Sequence, residues 1–207
     1  MASAIIHLAV AKELIKSQNI ADIKDYFLGS IAPDISKQIG QSKEKSHFLY
    51  NTEKDIPNIN RFINKYPNFK YNSFNLGYFI HLYTDKLWYE NFLKEIVSNN
   101  TIKLLIGEKI EVSNEEITKI IYSDYTNLNI SLIDNHNLDL ELFYEEFKLP
   151  KTHLTEIPTE HLDILINKMG IIIENSKKVT PYTFNINEVE KFINFAVQEI
   201  IKELKKY

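Results

Sequence analysis

His81-Leu-Tyr-Thr-Asp85 places an imidazole one helical turn before a carboxylate, so both groups can meet at one metal ion. The surrounding stretch, 73–99, has the periodicity of a buried helix. Phe74, Tyr78, His81, Asp85, Trp88 and Phe92 recur at three- and four-residue steps along one face. Two polar side chains therefore interrupt an apolar stripe. A carboxylate buried without a partner is costly by several kcal/mol, and is normally paired or bound to a metal. A structural His–Asp hydrogen bond is the simpler alternative, and the choice between them turns on whether further ligands converge there.

Five other histidines and two other acids compete for that role. His7 lies in an apolar helical segment, one turn before Ala11 and Leu14, and His47 follows a polar loop. His136 and His153 sit in polar, loop-like stretches and His161 at a helix start, all expected at the surface. Asp34 follows Pro33 at a chain break, where an Asx-turn or a helix cap would also account for it. Asp124 repeats the anomaly of Asp85, standing in a stripe of Ile117, Ile120, Ile121, Leu128 and Leu132. Two helices that each bring an acid into an apolar face suggest a shared polar centre. Tyrosine hydroxyls such as those of Tyr83 and Tyr122 are the alternative partners.

The elements that must position these residues are helical. With only 5 glycines and 6 prolines in 207 residues, the chain is too poorly punctuated for a turn-rich β architecture. Helices are expected over 6–17, 21–28, 57–66, 73–99, 113–132, 138–147, 159–175 and from Asn185 or Asn187 onward. Gly29 and Pro33 mark a break, residues 36–45 a polar loop, and Ser113-Asn-Glu-Glu116 a capping box. The fold class is all-α, a multi-helix bundle around a central buried helix. One domain over 1–207 is expected, with a metal-site core in 1–135 and a helical C-terminal part in 136–207.

Composition narrows the function. The hydrophobic fraction of 44% and charged fraction of 25% are those of an ordinary globular chain. A net charge of −4 and dispersed lysines provide no nucleic-acid-binding patch. Without cysteine there are no disulfides and no thiolate zinc sites, so a metal must sit on nitrogen and oxygen. No transmembrane segment and no secretory leader are evident, which points to a cytoplasmic location.

The order of motifs carries a resemblance. A histidine in a short N-terminal helix is followed by Tyr26-Phe-Leu-Gly-Ser-Ile-Ala-Pro-Asp34, by Ser46-His47-Phe48, and by Leu76-Gly-Tyr-Phe-Ile-His81-Leu-Tyr-Thr-Asp85-Lys-Leu-Trp-Tyr89. In that order, from Ile5 to Phe92, the chain resembles the zinc-dependent phospholipase C family, whose all-helical fold is shared with single-strand-specific zinc nucleases. The resemblance implies one metal held by Asp34, His47, His81 and Asp85, and a second held by His7 and shared through Asp85. It also implies a free N-terminal residue as ligand, whereas here residues 1–6 precede His7. The secreted members complete a third metal site with two more histidines and a glutamate. This chain offers no histidine between His81 and His136, and Asp124 is the acid left as an extra ligand or an anchor behind the ligands.

One or two Zn²⁺ ions are therefore expected, with Mn²⁺ or Fe²⁺ as alternatives for such a donor set. A metal in an open site brings the pKa of bound water from about 15.7 to about 7. The expected function is hydrolysis of a small phosphoester or a phospholipid, with Asp34 orienting the attacking water. Phe48, Tyr78, Tyr83 and Trp88 would line a pocket or simply pack the core. A helical metal-binding or protein-interaction module with a reduced, non-catalytic site is the alternative. A third class, built on an adjacent His-Asp pair, finds no such dipeptide here.

Overall fold

The computed structural model describes residues 1–49, 56–145 and 147–207. Its centre is the helix expected around His81, which we call α6 (Ser73–Trp88) and which starts where the Asn72 side chain accepts the N–H of Asn75. Every residue from Phe74 to Asp85 is buried, as are Leu87 and Trp88. A helix apolar on all sides belongs inside a protein, and α6 is wrapped by its neighbours. This is the all-α architecture expected.

The tightest partner of α6 is α2 (Ile23–Ile31). The expected break at Gly29 does not occur, because α2 runs on to Ile31 and Pro33 enters only in the 3₁₀ turn Ala32–Asp34. Gly29 has another purpose. A Cβ built on it would lie 2.1 Å from the carbonyl oxygen of Phe74, and one on Gly77 would lie 2.0 Å from that of Tyr26. The two glycines face each other's helix and let the backbones touch.

α1 (Ala4–Leu14), capped by Ser3, packs on α2 and α6 and buries Ile5 through Ala11 almost without interruption. The expected polar loop 36–45 contains two short helices instead, α3 (Ile35–Gln38) and α4 (Lys43–Ser46). α5 (Ile59–Lys65) follows, capped by Asn58.

The central helix also ends earlier than expected. After Trp88 the chain makes a π turn over Tyr89–Leu93 and a single turn α7 (Lys94–Ile96). It then forms a small antiparallel sheet of β1 (Val97–Ser98), β2 (Thr101–Lys103) and β3 (Lys109–Glu111). Asn99 (φ 51°) and Gly107 (φ 87°) supply the left-handed turn residues, and Ile102, opposite Val97 and Ile110, packs inward. The helical periodicity of 73–99 had hidden a β-branched hairpin at its end.

α8 (Asn114–His136) opens with the expected capping box and overshoots its expected end, stopping at left-handed Asn137 (φ 47°). The helix expected over 138–147 reduces to a 3₁₀ turn at Glu141–Phe143, and position 146 lies outside the described residues. α9 (Leu162–Glu174) and α10 (Ile186–Leu204, capped by Asn185) complete the order.

The helices after residue 136 share one core with the first half. Trp88 stacks on Phe92 (ring centroids 4.1 Å) and meets the edges of Phe184 and Phe192 at 5.7 and 4.8 Å. His136 is not a surface residue. It closes α8 with one ring nitrogen 3.1 Å from Glu13 and the other 3.0 Å from Glu190, tying together α1, α8 and α10. His153 and His161 are exposed, as expected. Among the described residues no helix is long and apolar enough to cross a membrane.

Candidate metal centre

His81 and Asp85 lie one turn apart on α6, and their atoms Nε2 and Oδ2 are 3.4 Å apart. α1 brings His7 against them from one side: its ring stacks on that of His81 (centroids 3.7 Å, 14° between planes), and its Nε2 is 3.3 Å from Asp85 Oδ1. The turn after α4 brings His47 from the other, 3.6 Å from Asp85 Oδ2 and 3.7 Å from Asp34 Oδ1. Asp34 reaches the group from the 3₁₀ turn beyond α2 and makes no cap hydrogen bond of its own. Five residues expected from the sequence therefore converge. Their ligand atoms form two overlapping sets, His7–Asp34–His81 and His47–His81–Asp85. His7, His47, His81 and Asp85 are wholly buried, while the Asp34 side chain keeps 17% exposure and forms the open side.

The hydrogen bonds limit which nitrogens are free. His81 Nδ1 lies 2.8 Å from the Ser30 carbonyl, which can only accept, so the ring proton sits there and Nε2 keeps its lone pair. His47 Nδ1 is 2.9 Å from Ser46 Oγ, whose own proton can go to the Lys43 carbonyl. With the proton on Nδ1 the His47 Nε2 is a free donor to a metal; with Ser46 donating to Nδ1 instead, His47 Nε2–H donates to His81 Nε2 across the 3.2 Å gap, a proton that a bound cation would displace. Both nitrogens of His7 and Oδ2 of Asp85 lack any hydrogen-bond partner. Buried imidazole nitrogens and a carboxylate oxygen left without hydrogen-bond partners are surroundings that a cation satisfies, and this donor set fits zinc.

Charge points the same way. Burial opposes ionisation of Asp85, but His7 and His81 outweigh it and hold the carboxyl well below its usual range. Asp34 is also held low: burial opposes, and Lys43, His81 and His47 overcome it. Burial and the neighbouring His81 lower the affinity of His7 for a proton, Asp85 opposing. The same two causes push His47 from 6.5 down to about 3. Burial thus disfavours protonation of His7 and His47 while both acids are held as carboxylates, with Lys43 as the nearby counter-charge, 3.1 Å from Asp34.

A pH dependence follows for the metal-free protein. A histidine that resists protonation in the fold but accepts it when unfolded contributes stability above its unfolded pKa, and that stability is lost as pH falls through the window between the two values. For His47 this runs from 6.5 to about 3, and the depressed carboxylates extend the loss further into acid. We expect the chelated protein to lose thermal stability steadily below about pH 6.5, and His47→Gln to flatten that slope. Melting temperatures taken with chelator from pH 7 to 4 test both, and an unaltered slope in the variant would count against His47.

Asp124 requires correction. It is buried as expected, but its oxygens are taken up by the 182–184 backbone: Tyr182 N–H to Oδ1 (2.6 Å), and to Oδ2 the N–H groups of Thr183 (2.6 Å) and Phe184 (3.0 Å) with the Thr183 hydroxyl (2.6 Å). It belongs to neither ligand set and anchors the approach to α10. Tyr83 and Tyr122 are not its partners, since they bond Glu203 and Lys37. Removing this carboxylate strands the buried N–H groups of Thr183 and Phe184 and the buried Thr183 hydroxyl, so Asp124→Ala should cost about 3 kcal/mol or more in urea unfolding. Metal content at neutral pH should be unchanged, because the site does not use the residue.

Some contributors were invisible to side-chain patterns. The Ala2 N–H donates to Asp85 Oδ1 at 2.7 Å, and the Tyr125 hydroxyl donates to the Met1 carbonyl at 2.6 Å. The chain start is thereby seated against the cluster through a backbone amide, where the resemblance implied a free amino group. Ser30 and Ser46 orient the imidazoles, and the adjacency of Ser46 to His47 was the only available hint. Phe48, Tyr78, Tyr83 and Trp88 are core residues and line no pocket at the site.

Residues 5–88, the stretch carrying all five residues, match the family model described as zinc dependent phospholipase C. Comparison with curated proteins and with solved structures gives no match.

Proposed function

With residues 5–88 belonging to the zinc-dependent phospholipase C family, we propose that the cluster binds one or two zinc ions and hydrolyses a phosphoester. The observation that carries this reading is the convergence of His7, Asp34, His47, His81 and Asp85, whose ligand atoms form two overlapping sets within 4.8 Å. Buried imidazoles and carboxylates gathered this closely are the donor set that a cation satisfies. His47, His81 and Asp85 would hold one ion, and His7, with Asp85 in common, a second; Asp34 completes the set on the open side. When bound, zinc supplies Lewis acidity, acidifying water and polarising a phosphoryl oxygen.

The chain's own groups do the rest. Asp34 is the one ligand candidate with solvent access, and its low proton affinity keeps it an acceptor at neutral pH. It is placed to hold an attacking water by one hydrogen. Ser30 and Ser46 keep His81 and His47 from rotating, which preserves the donor geometry through turnover.

The test is metal content together with a phosphoester screen: an aryl phosphodiester, nucleotides, and phosphatidylcholine in mixed micelles. Asp34→Asn should lower turnover about 100-fold or more, the usual worth of a positioned base, while the melting temperature holds. An unchanged rate would remove Asp34 from the reaction. A second reading draws on there being no third ligand set among the described residues, since His136 is engaged by Glu13 and Glu190 rather than the cluster. Tightly bound zinc with no turnover on any of these substrates would favour that non-catalytic role.

A further inference from the structure

The open side of the cluster leads into a cavity of about 220 Å³ whose lining includes Asp34, Lys43, Leu165, Met169 and Ile172. Its walls from α9 are apolar, and its charged lining is the Asp34–Lys43 pair together with Lys37, which is turned onto the Tyr122 ring. Lys43 is held unusually far in for a lysine, its side chain only 18% exposed, on the short helix that leads directly into His47. Its ammonium meets Asp34 Oδ1 at 3.1 Å and the Met1 thioether sulfur at 3.3 Å. A thioether is a weak acceptor, so of three N–H donors only one has a strong partner among these.

Charge balance makes the ammonium informative. Two carboxylates balance one divalent ion and a second ion would leave the cluster positive, so with Asp34 shared between metal and Lys43 the ammonium is surplus positive charge at the cavity end in either case. A partly buried lysine with no net anion to offset it is costly unless something that enters the cavity supplies one. A phosphodiester carries that single negative charge. We propose that Lys43 is a substrate-binding residue, its ammonium holding a non-bridging phosphoryl oxygen beside the metal cluster. This rests on the phosphoester reading above and extends it to a group outside the expected ligand set. Such a contact is made in a site that excludes much of the water, where a charge-assisted hydrogen bond is strongest. No bond is made or broken by Lys43, which stays protonated throughout.

The experiment uses the zinc-loaded full chain and inorganic phosphate, with binding followed by calorimetry beside zinc content and turnover of an aryl phosphodiester. Lys43→Met keeps the length and removes the charge. We expect zinc content to hold, phosphate affinity to fall about 10- to 100-fold, and kcat/KM to fall by a similar factor. Lys43→Arg should restore most of both. Equal phosphate affinity in Lys43→Met and wild type would overturn the assignment, as would loss of zinc from the methionine variant, since Lys43 would then serve the cluster itself. The two readings fail separately. If zinc-loaded wild type binds phosphate in a Lys43-dependent way but hydrolyses nothing, the anion site stands and the hydrolase falls.

Discussion

Asp85→Asn is expected to lower metal affinity by at least about 100-fold while the protein stays folded. The carboxylate touches all three histidines: Oδ1 lies 3.3 Å from His7, and Oδ2 lies 3.4 Å from His81 and 3.6 Å from His47. An asparagine can keep its oxygen on the Ala2 N–H. Its NH₂ group then faces imidazole lone pairs that a cation would have taken, and the amide carries no charge. Replacing a residue that merely orients a ligand costs 10- to 100-fold in affinity, and Asp85 contributes the charge directly. The check is zinc content after dialysis, with melting curves recorded with and without chelator. Wild type should lose stability on chelation, because a ligand that binds only the folded state stabilises it by mass action. The variant should melt at one temperature in both conditions. A chelator-sensitive Asp85→Asn would show that the cluster binds without its central carboxylate.

The second large effect is at Gly77. In Gly77→Ala the new Cβ would stand 2.0 Å from the Tyr26 carbonyl oxygen and 2.8 Å from the Ser30 nitrogen. These are backbone atoms of the facing helix and cannot rotate aside. α2 and α6 must move apart by more than 1 Å, roughly the shortfall from normal contact, and the loss should reach about 4 kcal/mol. The consequence extends to the site, because α2 carries the Ser30 carbonyl that fixes the His81 tautomer. Urea unfolding is the measurement, and a midpoint matching wild type would mean that the two helices separate freely. Glycine is poor in a helix interior by about 1 kcal/mol relative to alanine, so this close contact is what justifies its presence in both helices.

The same positions show what a sequence can and cannot disclose. His81 and Asp85 were legible as polar side chains in an apolar stripe and His7 as a histidine in an apolar segment, whereas Asp34 and His47 entered through the resemblance that the order of motifs carries. The central helix was legible because its apolar residues leave no polar face. Gly29 misled, since a glycine that ends a helix and one that admits a neighbouring backbone look alike until the neighbour is known. Asp124 was half legible. Its burial followed from the stripe on α8, but its partners are N–H groups of Tyr182, Thr183 and Phe184, which every sequence possesses and none advertises. Ala2 was missed for the same reason. Lys43 reads from sequence as one of several lysines in a polar stretch, and only the fold shows that it is turned inward.

The aromatic junction at the end of α6 separates two kinds of constraint. A metal cluster demands atoms at fixed points, so few alternatives can replace its residues. Trp88 and Phe92 ask only that Phe184 and Phe192, or other rings of similar bulk, close over them. A covering of that sort is free to vary in sequence so long as it remains oily and thick enough. Recognisable kinship can therefore stop near residue 88 while the folding unit continues to the last helix. A polypeptide cut at that boundary would retain all five clustered residues yet leave the large flat face of Trp88 in water.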